Sequence, residues 1–143
     1  MYKKINAEKI VLFLRTLVPD VINREIDLSD DIVEKLERFI EKYLLDYWIV
    51  DEISDISVLR FETAEYNKYL LTTRNQYTEN KRECFFVVCL DGSCNVSLLE
   101  DNFNDEIQEQ SGFLMQTNIC HVILAKETTL FTFKFAVKLC NGA

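Results

Sequence analysis

The chain has 143 residues, of which 48% are hydrophobic and 28% are charged, a composition typical of a globular protein. Three glycines and one proline are too few for a disordered or linker-rich chain. The formal net charge of -8, with no cluster of lysine and arginine along the sequence, argues against nucleic acids and anionic membranes as partners. The sequence also lacks an apolar run long enough to span a membrane.

A chain of this length is expected to form one domain, residues 1–143, with a helical part over residues 1–52 and an antiparallel β part over residues 53–143. The five cysteines are an odd number, and the N-terminal sequence does not have the pattern of a signal peptide. Both features predict reduced thiols and a cytoplasmic location.

Two segments of the first third have helical periodicity. Residues 7–18 place apolar side chains three and four positions apart, with Asn6 as the predicted N-cap and Pro19 as the end of the helix. Residues 30–49 form a longer apolar stripe that begins after the predicted N-cap Ser29. Each helix is therefore expected to bury one face.

Beyond residue 55 the apolar period becomes that of strands. Asp91-Gly92 is a turn signal, so a hairpin is predicted there. We expect helices followed by an antiparallel meander, an α+β fold in which two N-terminal helices pack on a β-sandwich or open barrel. The predicted strands cover residues 57–62, 68–73, 84–90, 94–99, 113–116, 121–125 and 130–139, and the predicted polar loops cover residues 74–81 and 101–111.

Two strands carry most of the information about packing. Residues 84–90 are apolar on both faces, so this strand is predicted to lie between the helices on one side and the sheet core on the other. In residues 130–139, phenylalanine, valine and leucine alternate with threonine and lysine, which predicts one face in a core.

Residues 85–137 resemble the second half of a cupin barrel, most closely the cupins that isomerise nucleotide-linked keto-sugars. The strand, Gly-Ser turn and strand of residues 86–101 match one part of the family pattern. The glycine, apolar strand, turn and histidine of residues 112–121 match another. The resemblance implies a cupin-like fold.

The positions that the resemblance gives to metal ligands and catalytic histidines do not carry such residues. They fall near Thr78, Asn80 and Phe85, and none of these can hold a divalent ion as imidazole or carboxylate does. The turn positions usually occupied by proline and glycine are Gln116 and Asn118. We therefore predict no metal, no cofactor and no catalytic residue, and the chain is more consistent with a binding protein than with an enzyme.

His121 is the single histidine of the chain. It is either a partly buried, hydrogen-bonded side chain or a residue of a cupin-like ligand pocket. Tyr77, an aromatic residue in a polar loop, is a second candidate ligand contact. Cys84, Cys89 and Cys94 are five positions apart, but an odd separation on one strand turns the first two to opposite faces. These three cysteines are predicted to be core residues rather than zinc ligands.

An acidic segment crosses the predicted loop at residues 101–111. It is either a solvated loop or a docking surface for a basic protein partner, with an aromatic residue among the carboxylates. The candidate contacts are Asp101, Phe103, Asp105, Glu106 and Glu109.

Two functions from different classes remain. The first is a non-enzymatic, acidic interaction module that inhibits or scaffolds a protein partner, as immunity proteins and viral inhibitors do. The alternative is a cupin-like protein that binds a sugar or nucleotide sugar, or a metal-free isomerase acting on one. The cupin resemblance also allows a homodimer formed by edge-to-edge pairing of sheets.

Overall fold

The computed structural model describes residues 2–18, 25–44, 48–71, 81–98, 104–116 and 121–139. The chain begins with strand β1 (Tyr2–Asn6), which is followed by helices α1 (Glu8–Thr16) and α2 (Asp30–Glu41). The later strands are β2 (Trp48–Phe61), β3 (Asn67–Leu71), β4 (Lys81–Asp91), β5 (Ser93–Leu98), β6 (Asn104–Gln108), β7 (Ser111–Gln116), β8 (His121–Ala125) and β9 (Thr128–Leu139). In the described residues, neither helix has the length and apolar character that crossing a membrane requires.

The strands form two antiparallel sheets. A five-stranded sheet has the order β1-β7-β4-β9-β2, and a four-stranded sheet has the order β3-β8-β5-β6. The chain passes repeatedly from one sheet to the other, so that among the described strands β5 and β6 are the only consecutive pair that is hydrogen-bonded. The fold is therefore α+β with two facing sheets, and the predicted meander is wrong.

The predicted hairpin at Asp91-Gly92 is also wrong. Gly92 has a φ of 81°, as the turn signal requires, but β4 and β5 belong to different sheets. The turn therefore carries the chain across the gap between the sheets. A Cβ atom at Gly92 would lie 2.6 Å from the carbonyl oxygen of Glu127, which shows how closely the two crossings pack at this end.

Both predicted helices are present, but the second one ends earlier than expected. Residues 48–49, predicted to be helical, begin strand β2, and the helical part assigned to residues 1–52 also contains β1. Strand β6 lies inside the predicted loop 101–111. In β1 and in β6 a single side chain is buried, Ile5 and Ile107 respectively, so neither strand has an alternating apolar pattern in its sequence.

Strand β4 separates two hydrophobic cores. Its side chains at Phe86 and Val88 join a core shared with both helices, whereas Phe85 and Val87 join a core between the two sheets. The prediction that residues 84–90 are covered on both sides is confirmed. Strand β9 behaves in the same way, since its phenylalanines face the helices and Leu130 faces the other sheet.

The helices are attached to the five-stranded sheet by specific contacts. Arg15 of α1 donates a hydrogen bond to the carbonyl oxygen of Leu90, 2.6 Å away, and lies 3.4 Å from the carboxylate of Asp91. Ser29 is the N-cap residue of α2, as predicted, and its carbonyl accepts the backbone N–H of Val33. The side chain of Asn6 accepts the N–H of Glu8 at the start of α1.

Phe86 is the side chain whose truncation should cost most in the helix-facing core. It is fully buried, stacks on Phe133 with ring centroids 4.7 Å apart and meets the edge of Phe39 at 6.0 Å. We expect Phe86→Ala to lower the free energy of unfolding by about 3–5 kcal/mol, measured by urea denaturation. The matched control is Leu12→Ala on the exposed side of α1, where 75% of the residue is accessible and the change should stay within about 0.5 kcal/mol. Equal effects of the two substitutions would contradict this core.

Candidate functional site

A β-bulge on strand β2 brings a carboxylate to the inner side of the barrel. The pairing of β2 with β9 shifts between Ser54 and Ser57, and Asp55 within this shift has a φ of 51°. A side chain in this left-handed conformation is uncommon outside asparagine, aspartate and glycine, and bulges of this kind often redirect a side chain. Here the redirected carboxylate of Asp55 lies 3.2 Å from the ammonium of Lys134.

Lys134 extends from β9 into the space between the two sheets. Its neighbours Phe133 and Phe135 face the helices, so strand alternation turns Lys134 to the opposite side. The ammonium lies 4.0 Å from the carboxylate of Glu83 and 5.6 Å from the ring centre of Phe85. Only 19% of the Lys134 side chain is accessible. We call Asp55, Glu83 and Lys134 the lysine cluster.

Tyr69 on strand β3 stands beside this cluster. Its ring meets the edge of Phe61 on β2, with the centroids 6.4 Å apart, across the gap between the two sheets. Burial raises the pKa of the Tyr69 hydroxyl, and the negative charge of Asp55 raises it further. Tyr69 is therefore protonated at neutral pH and can donate a hydrogen bond.

A cleft opens between strands β2 and β3, at the edge where the two sheets separate. It has a volume of about 810 Å³, which is within the range of small-molecule sites. Its wall combines aromatic surface with several donors and acceptors, contributed by Glu25, Ser57, Arg60, Phe61, Glu62, Thr63, Asn67, Lys68 and Tyr69. Tyr69 borders the cleft, whereas Asp55, Glu83 and Lys134 are not among its described lining.

Neither of the two ligand contacts predicted from sequence has a described side chain. His121 begins strand β8, where its backbone is paired with Leu71 and Leu98, and its side chain is outside the described part of the structure. Tyr77 lies outside the described residues. Their role as ligand contacts stays a prediction. The described lining comes mainly from the end of β2, the turn after it and the start of β3. These residues are close in sequence, but the sequence does not show that the two strands part into different sheets there.

Part of the predicted acidic surface forms contacts within the chain. Asp105 accepts a hydrogen bond from the Tyr2 hydroxyl at 2.7 Å and lies 3.5 Å from the ammonium of Lys4. Glu106 and Glu109 are exposed, on β6 and in the following turn. Asp101 and Phe103 are outside the described residues. A docking role for this segment stays a prediction, now with Asp105 as a structural residue of the β1–β6 contact.

The three cysteines near strand β4 are buried, as predicted. Cys84 joins the helix-facing core, whereas Cys89 and Cys94 join the core between the sheets, so Cys84 and Cys89 do face opposite ways. Burial raises the pKa of both inter-sheet thiols to about 12, with nearby carboxylates adding to the effect at Cys89. They are therefore neutral side chains of the core.

The described residues do not fit a metal site. No three His, Cys, Asp or Glu side chains among them are arranged to hold an ion. Phe85, one of the positions that the cupin resemblance gives to a ligand, is a buried apolar side chain between the sheets. The other two positions, Thr78 and Asn80, lie outside the described part of the chain.

No family model matches this chain, and no curated protein resembles it in sequence. Its fold is nevertheless similar to solved structures. A viral collagen prolyl hydroxylase from Paramecium Bursaria Chlorella virus-1, solved as a 2OG complex, superimposes with a TM-score of 0.61, 10% identity and 96% coverage of both chains. A prolyl-4-hydroxylase from Pseudomonas putida gives a TM-score of 0.51 with 10% identity, over 99% of this chain and 86% of the other.

A cupin protein from Bacteroides fragilis is also similar, with a TM-score of 0.38 and 11% identity over 73% of this chain and 76% of its own. The neighbours are cupin-fold proteins, which agrees with the cupin resemblance of residues 85–137. At these identities the likeness is one of fold. The chain therefore has a cupin-like fold of two facing sheets, and the helices pack against the larger sheet.

The ion pairs of the lysine cluster are expected to stabilise the folded chain. Lys134→Met keeps the apolar stem but leaves Asp55 and Glu83 facing each other without the cation, so their repulsion is no longer balanced. Since these groups are partly accessible, we expect a loss of about 1–2 kcal/mol in unfolding free energy at pH 7, measured by urea denaturation.

The control is Lys138→Met, which removes a more exposed ammonium, 48% accessible, that lies 3.0 Å from Asp51. That substitution should change stability by less than about 0.5 kcal/mol. A loss for Lys134→Met no larger than the loss for Lys138→Met would contradict the electrostatic explanation.

The raised thiol pKa values predict slow alkylation. A shift from 9.0 to about 12 lowers the thiolate fraction of Cys89 and Cys94 near pH 8 by about a thousandfold, and burial slows reagent access further. Iodoacetamide labelling followed by peptide mass spectrometry should therefore leave both residues unmodified in the native protein and modify them in urea. Native labelling of Cys89 at the rate of the unfolded chain would refute this assignment.

Proposed function

We propose that the chain binds a small polyhydroxylated ligand, of the sugar or nucleotide-sugar class, in the cleft between β2 and β3. The observation that carries the proposal is the lining of this opening, which places aromatic surface beside polar side chains of both signs. A ligand with an apolar ring face and many hydroxyls matches such a wall. The cupin-like barrel supports the proposal, since the mouths of β-barrels are frequent sites for small molecules.

Phe61 and Tyr69 supply the surface for the ring of a sugar. They meet edge to face across the cleft, and 36% of Tyr69 is accessible to a ligand. The raised pKa of Tyr69 keeps its hydroxyl protonated, so it acts as a hydrogen-bond donor rather than as a base. This supports binding rather than proton abstraction as the role of the site.

Charged side chains at the cleft suit the remaining parts of such a ligand. Arg60 and Lys68 can pair with phosphate oxygens of a nucleotide sugar. Glu25 and Glu62 can accept hydrogen bonds from hydroxyls. Because cations and carboxylates are balanced in this lining, a ligand that combines hydroxyls with a diphosphate fits it better than a purely anionic one.

The ligand of the viral neighbour is not carried over to this chain. 2OG is a dicarboxylate, and the cation inside the described part of this barrel, Lys134, already contacts Asp55 and Glu83. A second pair of carboxylates would enter a cluster whose own charge is negative. We therefore expect 2OG to bind weakly or not at all.

The interaction module predicted from the acidic segment has less support. Asp105, at its centre, is held by Tyr2 and Lys4 rather than presented to a partner. No described contact singles out Glu106 or Glu109 as part of a binding surface. The cupin-like fold favours the ligand-binding alternative.

The proposal is tested by thermal shift and titration calorimetry with a nucleoside-diphosphate sugar, the nucleoside diphosphate alone, the free sugar and 2OG. We expect the nucleotide sugar to raise the melting temperature most. Tyr69→Ala should weaken its binding about tenfold through loss of ring contact, and Arg60→Gln should weaken only the phosphate-containing ligands.

The matched control is Tyr66→Ala, which removes an aromatic side chain that is 58% accessible and lies outside the lining of the cleft. Binding to this variant should equal that of the wild type. The proposal fails if no sugar or nucleotide sugar stabilises the wild type, or if Tyr66→Ala and Tyr69→Ala weaken binding equally.

A further inference from the structure

The two helices form a basic groove that the sequence does not predict. Four cationic side chains surround it, although lysine and arginine are not clustered along the chain. Helical periodicity and the packing of α1 beside α2 bring them together. The cations are Lys9, Lys35, Arg38 and Lys42.

The charges of α2 are divided between two sides. Lys35, Arg38 and Lys42 lie three and four positions apart and line the groove. Glu37 and Glu41 form a separate stripe, where burial and then mutual repulsion raise the pKa of Glu37. Arg38 also pairs with Glu34, one turn earlier. In a protein of net charge -8, the groove is thus a local concentration of positive charge.

The floor of the groove is apolar. Phe13 of α1 and Phe39 of α2 are partly buried, and Ile10 between them is almost fully buried. The ammonium of Lys35 lies 4.0 Å from the ring centre of Phe13, and that of Lys42 lies 5.7 Å from that of Phe39. These contacts hold the cations at the rim of a space of about 260 Å³.

We propose that this groove is a docking site for an acidic protein segment that carries a large apolar side chain. The apolar residue would enter between Phe13 and Phe39, and the carboxylates on either side of it would pair with the rim cations. Charge complementarity supports this occupant, because its carboxylates would pair with the rim cations while its apolar side chain covers the apolar floor.

Other polyanions fit the groove less well. A nucleic acid or an anionic membrane extends beyond the groove and would meet the acidic remainder of the protein, whereas a short segment meets the cations alone. The space is also concave and small, which suits one side chain better than a flat lipid surface. The site is separate from the cleft between β2 and β3 and does not depend on the function proposed for it.

The experiment measures fluorescence anisotropy of a labelled short peptide in which phenylalanine is flanked on both sides by glutamate and aspartate. We expect the full chain to bind this peptide, with an affinity that falls as salt is raised beyond about 0.15 M. Lys35→Gln combined with Lys42→Gln should weaken binding by about tenfold. The matched control combines Lys126→Gln with Lys138→Gln, which removes the same charge away from the groove and should leave binding within about twofold.

Further ligands distinguish an acidic segment from the other possible occupants of the groove. A peptide with serine in place of phenylalanine should bind at least about tenfold more weakly, because the apolar floor is then unused. The proposal is overturned if the acidic peptide does not bind, if the serine peptide binds equally well, or if the control variant loses as much affinity as the groove variant. Tighter binding of single-stranded DNA or of phosphatidylserine vesicles would also overturn it. So would self-association of the protein that disappears in the groove variant, since a second copy would then be the occupant.

Discussion

The fold depends on the burial of strand β4 on both faces. Phe86 and Val88 on one face and Phe85 and Val87 on the other are shielded from water by different parts of the chain. A strand with apolar side chains on both faces is unstable in a sheet that has one face in water. The helices must therefore cover one face of the sheet, and the smaller sheet must cover the other. The cupin-like arrangement satisfies both requirements, because the chain alternates between the two sheets instead of folding into one.

The same arrangement explains why polar groups occur inside the barrel. The two sheets are filled with apolar side chains along most of their shared face, but Lys134 and its two carboxylate neighbours occupy one part of it. A lone charge would be costly there, and the bulge at Asp55 supplies a partner that a regular strand could not place. The candidate site is assigned to the cleft because of the cleft's own lining of aromatic and polar side chains.

The molecule presents two surfaces of different chemistry. The cleft between β2 and β3 combines aromatic rings with charges of both signs, whereas the groove between the helices combines aromatic rings with cations. Neither includes a described residue of the acidic segment that the sequence singled out. There, Asp105 forms contacts with Tyr2 and Lys4 that join β6 to β1, so the most promising acidic residue has a structural role.

The sequence alone determined the helices, the α+β class, the burial of residues 84–90 on both faces and the core position of the cysteines. These features follow from local periodicity, which reports which side of an element avoids water. Periodicity does not report which strands pair, so the meander was wrong and the turn at Gly92 proved to be a crossing between sheets. It also cannot detect strands with one buried residue, such as β1 and β6.

Only the tertiary structure decided where the candidate functional surfaces lie. The cleft requires β2 beside β3, the lysine cluster requires three strands and a bulge, and the basic groove requires two helices side by side. The lysine cluster and the basic groove join residues that are distant in sequence, whereas the cleft is lined mainly by residues 57–69, which diverge into two different sheets. Their proximity is a product of packing, because the free energy that brings them together comes from the buried apolar cores and not from the site residues themselves.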